Sequence, residues 1–440
     1  MISTNGEMHI PSCNEDKQLT LDSQAKQSLE ELPNEVLLSI LFQISDKKSL
    51  RSLVLASPAC HAVYLTVRRK VLYCILKRQY SQFLPDLSEA IAVIRSKGLY
   101  MEADGEKAIA FLDSWRRRDE IRELNLTPTT QLYEPSSLEE IIELFRFYHE
   151  MDFFVDDYSK NVPRPTWMNA NKWHNEVLPL TLSATEKLRI FKALCRLQLD
   201  AHIFGRVEES PFGEVRRFSK DLFSNDLDLF FQEDAWRLFF GTMAPWEWQE
   251  MGCVWEYLGT KLNPVYEEIY NSLKDCGCDY FRDLPKDQRL PGRVLKTLTD
   301  LTRLRFHTET FLSLGPRFIY KVVHGPFMDR RNWIAANAGV HVVTPIFDWW
   351  KPWDRRPEFL YPADKYDLHN IGACVSGLPS TEQPNYGWIT RVVKSLDTTS
   401  EDTFWRTMED SPWPREQWRW GYAIWDSVKL KEWKAHLMKF

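Results

Sequence analysis

The chain has 440 residues and a mass of 52.0 kDa, with 44% hydrophobic residues, 27% charged residues and a formal net charge of −6. That composition suits a globular protein with a sizeable core and room for two or three domains. So small a charge argues against a global nucleic-acid or acidic-membrane footprint, and no run of about 18 apolar residues predicts a membrane span.

Residues 1–27 are polar, with no basic start leading into an apolar run, and predict a disordered tail rather than a signal peptide. Eight cysteines lie at 13, 60, 74, 195, 253, 276, 278 and 374, none of them in a C-x-x-C pair. Several fall on apolar stripes, the pattern of reduced, buried thiols in the cytoplasm or nucleus.

From Leu32 to Arg69 the sequence reads as three short helices. Pro33 suits the first helical position, where its missing N–H costs nothing, and Glu35 sits near the positive helix end. Val36, Leu37, Leu38, Ile40, Leu41, Phe42 and Ile44 then spread over about 240° of the helical wheel, where one core needs a stripe of only about 100°. Glu35, Ser39 and Gln43 form the only polar wedge. A second helix from about Lys47 places Leu50, Leu53 and Val54 on one face. Ser57 followed by Pro58 predicts the cap and first turn of a third. There Cys60, Val63, Tyr64, Val67, Val71 and Cys74 share a stripe about 80° wide, running on in one continuous helix to about Tyr80 or Phe83. A unit of about forty residues cannot bury two apolar faces on its first helix. Either the rest of the chain or a partner must cover one of them.

The ordered set Leu32-Pro33-x-Glu35-Val36-Leu37, Ile40-Leu41, Ser49-Leu50, Leu53, Ala56-Ser57-Pro58 and Val63-Tyr64 resembles an F-box, particularly that of fungal proteins. The resemblance covers about a tenth of the chain, and no single dipeptide in it is diagnostic. It implies an F-box over residues 28–75 that docks on the Skp-type adaptor of a cullin–RING ubiquitin ligase. Leu32, Pro33, Glu35, Val36, Leu37, Ile40, Leu41, Leu50, Leu53, Ser57 and Pro58 would carry the contact. Residues 76–440 would recruit an unknown protein substrate.

Most of that body also reads as helix, giving a mainly α fold. Ser137-x-x-Glu140 and Ser183-x-x-Glu186 predict capping boxes, the second opening a helix that stops near Gly205. Another helix starts at Pro245 and should break or kink at Asn263-Pro264. Further helical patterns cover about 292–313 and the tail from Pro414. Two loops, 161–167 and 282–292, are possible sub-boundaries. The segments Arg196–Gly205 and Trp420–Asp426 carry a softer resemblance to the same fungal family.

The least helical stretch is about 342–390, rich in proline and aromatic residues. Its aromatics predict a packed, ordered excursion, read either as caulking over the helices or as a recognition surface in which Trp349, Trp350, Trp353 and Tyr361 hold the substrate.

Catalytic signatures fail one by one. Phosphate-binding glycine patterns and the G-x-S-x-G elbow are absent, and His149-Glu150 has Phe153 where a zinc site needs its second histidine. Cys276-Gly-Cys278 lacks ligands at zinc-finger spacing. Neither metal nor cofactor is expected, and neither membrane nor nucleic acid as a partner. The short clusters Arg68-Arg69-Lys70, Arg116-Arg117-Arg118 and Arg330-Arg331 are expected to be solvated faces. The reading is therefore a non-enzymatic receptor subunit. A helical scaffold that binds the adaptor without degradation, or an enzyme with an aromatic pocket around 342–390, stand as alternatives.

Overall fold

The structure is a computed structural model. It describes residues 29–85, 87–118, 133–205, 208, 235, 238–240, 243–275, 304–337, 375–378, 383–390 and 415–433. Among them the chain is mainly helical and contains no strand, and no helix is long and apolar enough to cross a membrane. The chain divides into two compact units between Ile75 and Leu76.

The first unit holds α1 (Asn34–Gln43), α2 (Lys47–Ala56) and most of α3 (Pro58–Tyr80), after a 3-10 turn at Leu29–Glu31. Pro33 is not the first helical residue but the cap before it, with an extended ψ of 147°. Asp46 caps α2 by accepting the Ser49 N–H and hydroxyl, both at 2.8 Å, which draws its carboxyl below the ordinary value. At α3, Ser57 Oγ accepts the Cys60 N–H at 3.1 Å and the Glu30 carboxylate accepts the Ala59 N–H at 3.0 Å. Pro58 has no N–H to place, and these two bonds take the next two donors of the helix end. Cys60, Val63 and Val71 are buried, but Tyr64, Val67 and Cys74 are only half-buried. The wheel gives the direction of a side chain, not what stands in front of it, so the buried face is narrower than the stripe.

The second unit is built around α7 (Ala184–Ile203). It packs against α4 (Ser88–Ser96), α6 (Leu138–Asn161), α8 (Pro245–Asp275) and α10 (Pro316–His324). Helices α5 (Met101–Arg116), α9 (Leu304–Leu312) and α11 (Phe327–Asn337), with the short α12 (Arg415–Arg419) and α13 (Ser427–Glu432), also belong to it. The predicted box at Ser183 is complete, with Glu186 reaching back to the Ser183 N–H at 3.0 Å. The one at Ser137 is half-formed. Ser137 accepts the Glu140 N–H at 3.2 Å, but the Glu140 carboxylate turns instead to the Ser136 N–H and to Arg95.

Helix α8 runs through Asn263-Pro264 without ending, contrary to the expected break. The proline ring costs the carbonyl of Thr260, four residues back and half-buried, its partner, and the helix carries on past that single loss. Segment Trp420–Trp425 forms a buried turn against which several elements close. Gly421 has φ 78°, a value that favours glycine, and a Cβ there would collide with the Tyr158 hydroxyl. Gln249 Oε1 accepts from Trp418 Nε1 at 2.7 Å and from the Tyr422 hydroxyl at 2.9 Å. Arg189 donates to the Ile424 carbonyl at 2.9 Å, and the Asp426 N–H donates to Glu186 at 2.8 Å.

Charged side chains sit inside this unit. Arg196 on α7 lies between Glu247 of α8 (2.7 Å) and Glu89 of α4 (3.2 Å), with Arg118 also on Glu89 at 3.1 Å. Burial alone would raise the Glu247 carboxyl, yet Arg196 and Lys192 outweigh it and hold the group well below the usual range. Two basic clusters thus depart from the expected solvated faces, because Arg118 serves a buried carboxylate and Arg331 is itself buried.

Candidate docking surface

The apolar excess of the first unit resolves into two sets of side chains. Leu37, Leu41 and Leu50 are buried, as is the capping Ser57, so these four expected contact residues belong to the unit's own interior. Leu32, Ile40 and Leu53 are half-buried, and Pro33, Glu35 and Pro58 are exposed. Val36 exposes 42% of its surface. Leu38, Phe42 and Ile44 are also only half-buried. Helix α1 therefore buries one narrow line, Leu37 and Leu41, and leaves the remainder of its greasy circumference accessible.

Two further leucines extend the exposed set. Leu55 on α2 is 73% exposed and Leu65 on α3 is 57% exposed. Neither was singled out by the sequence motif, although the signal is present. Each points about 140° away from the stripe residue that anchors its helix, Leu50 for α2 and Cys60 for α3. Exposed large apolar residues are ordinary when scattered singly, and three of them on so small a unit make it the candidate for docking. Their neighbours one turn away are cationic or titratable: Arg51 beside Leu55, and His61, Arg68 and Arg69 around Leu65, all four exposed. A complementary partner would offer apolar sockets with an acidic rim.

The other expected site falls elsewhere. Trp349, Trp350, Trp353 and Tyr361 lie outside the described residues, as do Cys276 and Cys278. Of the 342–390 stretch, the described part includes the fully buried Trp388, whose N–H is capped by Asn385 at 2.8 Å. The Asn385 amide in turn donates to the Tyr422 and Trp425 carbonyls at 2.5 and 2.9 Å. His149-Glu150 is occupied structurally, because Arg317 holds the Glu150 carboxylate at 2.6 Å. Among the described residues no cluster of histidine, cysteine and carboxylate side chains could hold a metal ion. No family model, no curated protein and no solved structure matches the chain.

Proposed function

We propose that this protein is the substrate-receptor subunit of a cullin–RING ubiquitin ligase, its residues 28–75 acting as an F-box that seats on a Skp-type adaptor. The observation that carries this reading is the exposed apolar set on the first unit, Val36 with Leu55 and Leu65, within a stretch that follows the F-box order of residues. A surface that is apolar without internal use is explained by a partner that buries it. In this role the chain contributes no nucleophile. It accelerates ubiquitin transfer by tethering, which raises the effective concentration of the target lysine near the charged carrier.

The test is a titration of the purified full chain with a Skp-type adaptor. Because Leu37 is interior, substituting it would confound binding with folding, and the informative variants are Val36→Asp and Leu32→Ala combined with Pro33→Ala. Losing the burial of one to two apolar side chains should weaken binding more than about tenfold. Wild-type chain that fails to bind, or variants that stay folded and bind within about twofold of wild type, would sink the assignment. Following the half-life of co-purified proteins with and without residues 28–75 separates degradation from a scaffolding role.

A further inference from the structure

Helix α8 carries two interior glycines, and internal packing explains only one of them. A Cβ at Gly252 would fall 2.5 Å from the Trp418 ring, so glycine is required there. A Cβ at Gly259 would meet only Leu312 Cδ1, at 3.7 Å, an ordinary contact. Glycine inside a helix is destabilising relative to alanine, and at 259 the fold gains nothing in exchange.

What Gly259 does is open a cleft of about 480 Å3 between α8, α9 and α12, within the size range of small-ligand sites. Buried Trp255 and Leu312 contribute apolar wall beside it. Three carboxylates line the cleft, Glu256, Glu267 and Glu309, against two guanidinium groups, Arg415 and Arg419. Arg415 is already engaged twice, with Glu309 at 3.0 Å and Glu256 at 3.6 Å. Arg419 approaches the same Glu256 at 3.6 Å. The lining therefore carries one negative charge in excess. Two carboxylates close Arg415 to an anion, and an anion could reach only Arg419, which stands largely in solvent with Glu256 beside it at 3.6 Å. A cation with an aliphatic stem would supply what the cleft lacks and lie along its apolar wall.

We propose that this cleft is a recognition pocket for a basic side chain, arginine or lysine, presented by an extended segment of a partner protein. That the partner is the ubiquitylation target rests on the receptor reading above; the pocket itself does not.

The experiment uses the full chain without adaptor and three synthetic peptides. They share a neutral glycine-serine backbone and differ at one central position: arginine, norleucine or phosphoserine. A failure here leaves the adaptor titration untouched, and a failure there leaves this result standing. The arginine peptide should bind at least about tenfold more tightly than the norleucine peptide, and less tightly as salt is raised. Gly259→Leu, for which the Cβ has room, should fill the cleft and weaken binding by about tenfold or more without lowering the melting temperature. Should that variant fold poorly, Glu267→Gln on the exposed rim reads the same charge and should weaken binding several-fold. The proposal is overturned if no peptide binds up to about 5 mM, the weak end of the affinity scale. It is equally overturned if norleucine matches arginine, if phosphoserine binds best, or if neither substitution alters binding of the arginine peptide.

Discussion

The two units depart from the usual placement of side chains in opposite directions. Among the described residues, 29–75 leave Val36, Leu55 and Leu65 in solvent and bury no charged side chain. The much larger second unit exposes Ile109, Met328 and Val428 in the same way, but takes Glu89, Glu186, Arg189 and Arg196 inside. Leu55 and Leu65, 73% and 57% exposed, bury little surface that could join their helices. The buried charges join theirs: Arg196 links α7 to both α4 and α8, and Arg189 links α7 to the turn at Ile424. One anomaly faces outward to solvent, the other inward to the geometry of a core. Buried ion pairs are poor sources of net stability, but removing one member leaves a desolvated charge behind.

The largest effect should come from breaking the inward anomaly. Arg196→Met leaves Glu247 with Lys192 and Glu89 with Arg118, and should cost about 3–5 kcal/mol in urea unfolding. A loss below about 1 kcal/mol would mean that the remaining cations suffice and that the buried cluster does not specify the core.

Next in size is Asp200, also on α7, whose carboxyl is pushed up to about 8 by burial alone. An acid whose folded pKa is raised keeps its proton to higher pH in the folded state than in the unfolded one. The folded state is therefore favoured at low pH and loses that advantage as pH rises from about 4 to about 8. Asp200→Asn should remove this dependence and stabilise the protein at pH 8 by about 3 kcal/mol, after allowance for the buried amide. Equal slopes of stability against pH in the two proteins would show that the group is solvated.

His202, two residues further on, works in the reverse sense. Gln198 gives its carbonyl oxygen to the Arg317 N–H at 2.8 Å, so its amide donates to His202 Nε2 at 3.0 Å. Ser96 donates to the Val93 carbonyl at 3.0 Å and so accepts from His202 Nδ1 at 2.9 Å. The ring is thus fixed neutral with its proton on Nδ1. Burial first, then the charge of Arg317, brings its pKa down to about 4. For a histidine depressed in this way the stability is fully present above about 6.5 and is lost as pH falls toward 4. Between pH 7 and 5 the loss attributable to His202 should be about 2 kcal/mol, read as the difference between wild type and His202→Gln. Asp200 and His202 oppose each other over that range, so wild type alone would show neither.

Local signals in the sequence carried the helices well and their surroundings poorly. The complete box at Ser183 and the continuity of α3 follow from spacing over a few residues, and both are present. At Asn263-Pro264, where a break or kink is expected, the helix does not break: one proline removes one backbone hydrogen bond from a helix of 31 residues. Arg189 and Arg196 look like surface charges within a polar-apolar pattern. Their partners stand at Asp426, Glu250, Glu89 and Glu247, up to 237 positions away, a distance that periodicity cannot span. Within the unit that the motif singles out, the expected contact residues mix interior side chains with accessible ones. Leu37 and Val36 are neighbours on a helix that is apolar nearly all round, and only the packing of the unit decides which of them faces inward.

The smallest effect gives the sharpest test of the outward anomaly. Leu55 and Leu65 are more than half exposed, so changing either to serine should shift stability by no more than about 0.5 kcal/mol, the range for surface positions without special roles. The same substitutions bury no new polar group and leave the stripes of α2 and α3 intact, since Leu50 and Cys60 lie on the other side of their helices. If these leucines serve a partner, Leu55→Ser and Leu65→Ser should be silent in thermal unfolding yet weaken adaptor binding severalfold, because a lost apolar contact of about 1.5–3 kcal/mol appears only in the complex. Measuring both quantities on the same two proteins decides the matter. A drop of about 2 kcal/mol or more in stability would make the leucines part of the first unit's own core and would erase the contrast between the two regions.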